Sequence, residues 1–126
     1  MRLTSMRIAP FLLVLAGCAA VPPAAAPQAS PLAGRIAGET RTCISSSEAQ
    51  SPMVLDRQTI AYRSGRTLWV NRLRAACHNL EPVNTIVVES AGGQLCRGDR
   101  IRVIDHPMSI PGPSCALGDF TAYRAR

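Results

Sequence analysis

Thr59-Ile60-Ala61-Tyr62-Arg63-Ser64-Gly65-Arg66-Thr67-Leu68-Trp69-Val70 is the stretch that decides the class of fold. Two runs rich in β-branched and aromatic residues flank Arg63-Ser64-Gly65, which predicts a β-hairpin within Gln58 to Asn71. A three-residue loop with Gly65 in the left-handed conformation sets Tyr62 opposite Arg66, Ile60 opposite Leu68 and Gln58 opposite Val70. Ile60, Tyr62, Leu68 and Val70 then share one face, and Ala61, Thr67, Trp69 and Asn71 the other. A two-residue loop would split the aliphatic set between faces, so the two-residue period favours the longer, bulged turn. On that register Trp69, the single tryptophan, points away from the main apolar face. It lies either under a neighbouring loop, the usual fate of an indole, or at a binding surface.

Downstream, Thr85-Ile-Val-Val-Glu-Ser90 reads as a strand closed by Ala91-Gly92-Gly93. Gln94 to Cys96 resumes the sheet, Arg97-Gly98-Asp99 bends it, and Arg100 to Val103 alternates with Ile101 and Val103 inward. His106 to Ser114 carries Pro107, Pro111, Gly112 and Pro113 and is expected as a loop, because proline cannot serve a central strand. Cys115 to Tyr123 is the last strand, with Phe120 its core aromatic. Between hairpin and strands, Arg72 to Leu80 has the look of a turn or a short helix tied down by Cys77. Upstream, Arg41 to Ile44 is an edge strand, and Ser45-Ser-Ser-Glu48 is either a capping box over one helical turn or a polar loop, ended by Pro52. The expected fold is all-β: a small antiparallel sandwich or barrel of five to six short strands.

The beginning of the chain reads differently. Arg2 and Arg7 precede an apolar run, Ile8 to Ala16, that is too short to cross a bilayer and ends at Leu15-Ala16-Gly17-Cys18. This arrangement resembles a bacterial lipobox, whose cysteine is lipidated and becomes the first residue of the mature protein. The resemblance implies a lipid anchor on Cys18. With Ala19 after it instead of aspartate, it also implies the periplasmic face of the outer membrane. Residues 1–17 are thus expected as a signal peptide, 18–40 as the lipidated cysteine with an Ala/Pro-rich linker, and 41–126 as one small β domain. Several acyl chains hold far more firmly than one, since each buried methylene adds ~0.8 kcal/mol.

Five cysteines are present. Setting Cys18 aside leaves Cys43, Cys77, Cys96 and Cys115, an even number in an exported segment, which predicts two disulfides. No two of them stand at the close spacing of a zinc knuckle. Four cysteines allow three pairings; nearest-neighbour closure favours Cys43 with Cys77 and Cys96 with Cys115, each worth ~3 to 4 kcal/mol in the chain-entropy picture.

All 14 basic residues are arginine, which together with abundant Ala and Pro reflects GC-rich coding more than guanidinium chemistry. The formal net charge of +6 falls by two, to +4, once Arg2 and Arg7 leave with the signal. A mildly basic surface remains, suited to lipid headgroups or cell-wall polymers. Arg63 and Arg66 at the hairpin tip, Arg100 and Arg102 on one strand face, and Trp69 make the candidate binding surface; an ordinary solvated face accounts for the same arginines.

Catalytic motifs do not assemble. Cys77-His78-Asn79 lists thiol-protease residue types, but as chain neighbours they cannot adopt that geometry. Arg97-Gly98-Asp99 is more simply a turn than an adhesion tripeptide. Two histidines cannot supply a three-histidine metal centre, although Asp105 and His106 are suitable ligand types. There is neither a Gly-x-Ser-x-Gly elbow nor a phosphate-binding glycine loop. No catalytic residue, metal or cofactor is therefore expected.

Leu95-Cys96-Arg97-Gly98-Asp99-Arg100-Ile101, followed by Cys115-Ala116-Leu117-Gly118-Asp119-Phe120, resembles the signature of a domain-of-unknown-function family of small proteobacterial lipoproteins and exported proteins. Asp56-Arg-Gln-Thr-Ile60 and Asn71-Arg-Leu73 are similar to its pattern too, so the likeness runs from about Cys43 to Tyr123. It implies no activity. The function expected is that of a lipid-anchored periplasmic binding or accessory module. Its partners would be the membrane, through the anchor, and an anionic envelope polymer or another envelope protein, with no nucleic acid. Two alternatives stay open: a small periplasmic hydrolase with an unrecognised site, and a protein-binding inhibitor or chaperone acting through Trp69 and the 106–114 loop.

Overall fold

The computed structural model describes residues 30–126, so Cys18, the expected signal and most of the expected linker lie outside the described residues. Ten strands follow in order: β1 (Arg35–Arg41), β2 (Cys43–Ser45), β3 (Pro52–Asp56), β4 (Thr59–Ser64), β5 (Thr67–Arg72), β6 (Thr85–Glu89), β7 (Gln94–Cys96), β8 (Arg100–Ile104), β9 (Pro111–Ala116) and β10 (Phe120–Ala125). They form a five-stranded sheet, β1-β10-β5-β4-β3, a three-stranded sheet, β6-β8-β9, and the pair β2-β7. Every pairing is antiparallel. The fold is all-β, as expected, with no helix among the described residues and no closed barrel. Ten strands replace the expected five or six, the additions being β1, β3 and the Pro111–Ser114 part of β9, whose residues lack a clear strand alternation.

One core joins the sheets. Ile60, Tyr62, Trp69, Phe120 and Ala122 from the large sheet meet Ile44, Leu95, Ile101 and Val103 from the smaller ones, with Leu73, Cys77, Leu80 and Leu117 from connecting segments. Ile101 and Val103 face inward as the alternation of β8 predicts, each contributing about 1.5 to 3 kcal/mol of apolar burial.

The hairpin forms, but its register differs from expectation. Ser64 pairs with Thr67, Tyr62 with Trp69 and Ile60 with Asn71, so the loop has two residues, Gly65 and Arg66. Only Gly65 has positive φ (56°), the pattern of a type II′ turn, whose twist suits a hairpin. Ile60, Tyr62, Trp69 and Asn71 consequently share the core face, while Ala61, Leu68 and Val70 lie on the back. The back is covered as well: Ala61 and Leu68 are fully buried. With both faces of β4 and β5 covered, the rule that the aliphatic residues must share one face does not apply.

Other segments shift too. β1 takes in residues 35–40, read from sequence as linker; it is the outer strand beside β10 and is almost wholly exposed. β9 takes in residues 111–114, read as loop. It is an edge strand, where the missing N–H groups of Pro111 and Pro113 cost little. The expected final strand is two, broken at Leu117-Gly118-Asp119. Arg72 ends β5, and Leu73 to Leu80 is irregular with a turn at His78–Asn79 and no helix. Ser45 and Glu48 do bond reciprocally, Ser45 N–H to Glu48 Oε2 at 2.9 Å and Glu48 N–H to Ser45 Oγ at 3.3 Å, closing a single turn with no helix after it. The Ser45 amide first, and then its hydroxyl, which donates to Glu48 Oε2 at 3.0 Å, hold the Glu48 carboxyl below its ordinary pKa.

Both disulfides form with pairings other than nearest-neighbour closure: Cys43–Cys96 and Cys77–Cys115. Cys43 and Cys96 are directly opposed in the β2–β7 pair, so strand pairing, not loop length, chooses the partner.

Tyr62 sits fully buried near Phe120 (centroids 6.2 Å apart), and its hydroxyl has no hydrogen-bond partner among the described residues. Burial pushes its pKa up to about 12, whereas an unfolded tyrosine titrates near 10. Between those values the unfolded chain gives up a proton that the folded chain keeps, so stability falls as pH rises through this window, by roughly 2 to 3 kcal/mol in all. Urea titrations at pH 9 to 12 should show this slope for the native chain and its loss in Tyr62→Phe; an equal slope in both would refute the assignment.

Candidate functional site

Trp69 is buried. It is 2% exposed, set between Tyr62 on β4 and Ala122 on β10, and roofed by the Arg41 guanidinium 4.7 Å from its ring centroid. Such a contact at a half-exposed arginine contributes about 0.5 to 1 kcal/mol. Arg41 in turn meets Glu39 at 3.0 Å and Glu48 at 3.8 Å. The sequence correctly favours burial here: the indole lies in the shared core, with Arg41 of β1 over its ring.

The candidate arginines do not form one surface. Arg100 and Arg102 lie on β8 in the three-stranded sheet, where Arg102 Nε holds Glu89 at 2.6 Å and Arg100 donates to Ser114 Oγ at 3.1 Å. Arg63 and Arg66 lie at the β4–β5 end of the large sheet. Both are exposed, and neither has a carboxylate partner among the described residues.

Three further arginines join them there. Arg124 pairs in register with Thr67, and Arg35 with Ala125, which brings the start of β1 and the end of β10, including Arg126, to the hairpin turn. Arg35 is built in: its guanidinium donates to the carbonyls of Arg66 (2.9 Å) and Pro31 (3.2 Å). Arg124 donates to Thr67 Oγ1 and meets Glu39 at 3.1 Å; this bond first, with Arg41 beside it, holds the Glu39 carboxyl below its usual pKa. Arg35, Arg63, Arg66, Arg124 and Arg126 thus share one end of the sheet with Glu39 nearby. Asp56 and Asp119 lie at the other end, beside Thr59 and Phe120. Arginines stand at that end too: Arg72 pairs with Thr59, and Arg97 lies 3.3 Å from Asp119.

Two other surfaces stand out. The outer side of the three-stranded sheet holds a cavity of about 300 Å³ lined by Val87, Glu89, Arg102, Ile104 and Pro111. Met108 and Ile110 nearby in the chain are exposed. The loop leading there is tied by Asp105, which accepts from Asn79 (2.6 Å) and Asn84 (3.3 Å), and by His106 Nε2 with Thr85 Oγ1 (2.8 Å). The back of the large sheet holds a cavity of about 440 Å³ whose walls include Leu32, Leu55, Val70 and Tyr123. His78 lines a third, of about 290 Å³, with Arg57 and Asn79.

The residues weighed for chemistry have structural work. The Cys77 sulfur is in a disulfide and so is no thiolate nucleophile. Asp99 closes its turn by accepting the Cys96 N–H at 2.8 Å. Among the described residues, no three His, Cys, Asp or Glu side chains gather to hold a metal ion.

The match to a family of unknown function, DUF6491, spans residues 1–119. The chain belongs to that family. It matches no curated protein and no solved structure. Membership in DUF6491 brings no activity to test against the site, so function rests on the chain's own chemistry.

Proposed function

We propose that this DUF6491 protein is a lipid-anchored envelope protein, held through Cys18 at the periplasmic face of the outer membrane, whose β domain is a non-enzymatic binding or accessory module. The observation that carries this reading is the division of the five cysteines: four are spent on two disulfides, a chemistry of oxidising compartments, and the fifth stands in Leu15-Ala16-Gly17-Cys18 behind a basic start and a short apolar run. The family match from residue 1 takes in that leader. A disulfide-stapled scaffold of short strands, presenting a charged end and an apolar face, suits recognition at a surface.

In the expressing bacterium, the native chain should fractionate with membranes and carry an acyl mass at Cys18. Cys18→Ser should be soluble or retained as precursor. Continued membrane association of Cys18→Ser without acylation would place the anchor elsewhere.

A further inference from the structure

We infer that the arginine end of the five-stranded sheet, Arg35, Arg63, Arg66, Arg124 and Arg126, is a docking surface for the anionic headgroups of the bilayer in which the chain is anchored. The inference rests on the lipid-anchor reading and adds a surface, a partner and an orientation to it.

Register builds the surface. The β4–β5 turn, the start of β1 and the end of β10 meet because Ser64 pairs with Thr67, Thr67 with Arg124, and Ala125 with Arg35. Arg35 braces the turn by holding the Arg66 carbonyl, with exposed Arg66 in the turn and exposed Arg63 beside it near the end of β4. With Glu39 offsetting one charge at most, and that shared with Arg41, the end keeps a positive excess, whereas at the far end Asp56 and Asp119 stand among Arg72 and Arg97. Guanidinium groups present paired N–H donors that match phosphate oxygens.

Charge complementarity favours a bilayer over a soluble polyanion because of where the tether joins. Arg35 opens β1 at this same end, seventeen residues beyond Cys18, a length that reaches at most about 60 Å. Each arginine at an anionic surface strengthens attachment by about fivefold. The set is weak alone, but the anchor makes docking intramolecular, so a weak surface suffices to orient the domain. The Asp56 and Asp119 end then faces away from the membrane. Arg100 and Arg102, already engaged on the other sheet, take no part.

The test is residue-resolved arginine modification. The full chain, purified from membranes, is mixed with phosphatidylcholine vesicles, with or without one third phosphatidylglycerol, floated, and labelled with phenylglyoxal. On anionic vesicles, Arg63 and Arg66 should label about fivefold more slowly than on neutral ones, while Arg57 and Arg74 label equally on both. Protection should vanish in 1 M salt, where the screening length drops to ~3 Å. Flotation on both vesicle types with equal labelling overturns the docking surface and leaves the anchor. Flotation on anionic vesicles alone, with the protection, keeps the surface and overturns the anchor. Flotation on neither, or protection by soluble polyphosphate without protection by vesicles, overturns the bilayer inference.

Discussion

Gly118→Ala should cost the domain about 4 kcal/mol or prevent its folding, the largest effect expected of so small a change. Gly118 lies in the break between β9 and β10, fully enclosed, with the Arg72 carbonyl directly where a Cβ would sit. That oxygen belongs to backbone and cannot swing aside as a side chain would. The Asn71 amide holds the same glycine from the core side: its Nδ2 donates to the Gly118 carbonyl at 2.8 Å, and its Oδ1 accepts the Gly118 N–H at 2.9 Å. Asn71 is itself wholly buried, so displacing Gly118 both crowds the backbone, at about 1 to 3 kcal/mol, and strands buried polar groups, at about 1 to 3 kcal/mol for each group left unpaired. Circular dichroism melting should show a fall of roughly 15 to 30 °C for a loss of that size. Asn71→Ala should cost about 2 to 4 kcal/mol, and the double variant less than the sum, because both changes remove the same two bonds. A Gly118→Ala protein melting within a few degrees of the native chain would refute the close approach.

The segments that sequence reveals are those whose burial has a period. β8 alternates, and Ile101 and Val103 are inward; β6 and β7 are rich in β-branched or apolar residues and stand where expected; Phe120 is core. The segments it conceals are those held by backbone pairing alone. β1 is exposed at six of seven positions and reads as linker, since its stabilisation comes from β10, some eighty residues away. β9 reads as loop because its prolines are tolerated only at an edge, and edge or centre is a property of the whole sheet. The hairpin's existence is local, but its register depends on whether one face or both are covered, which Leu32, Tyr123 and the rest of the back decide from a distance.

The same distinction governs the candidate surface. Arg63 and Arg66 are adjacent by local geometry and are legible as a pair. Their separation from Arg100 and Arg102, and their union with Arg35, Arg124 and Arg126, follow from the order β1-β10-β5, a long-range arrangement that no window of residues contains. Trp69 shows it again. The tendency of an indole to be buried is legible, but its roof is Arg41, brought in by the strand that composition hides.

Removing either disulfide by paired Cys→Ala substitution should cost up to about 4 kcal/mol, from separations of 53 and 38 residues in the chain-entropy estimate, but the two should fail differently. The loops interlock, since Cys77 lies between Cys43 and Cys96 while Cys115 lies beyond, so each is measured against a denatured chain already restrained by the other. Cys43–Cys96 clips β2 to β7, three residues a side, a ribbon with little pairing of its own; its loss should raise amide exchange at Ile44 and Leu95 while the large sheet stays protected. Cys77–Cys115 bonds the buried segment after β5 to β9, and hence the large sheet to the three-stranded one. Its loss should lower the melting temperature further and raise exchange in β6, β8 and β9 together. Non-reducing peptide mapping gives the prior check: fragments linking Cys43 to Cys96 and Cys77 to Cys115, with no free thiol among the four, are expected, and a Cys43–Cys77 fragment would sink the pairing. The inequality follows from what each bond spans: a clip inside one ribbon protects that ribbon, whereas a bond between sheets holds the shared core closed.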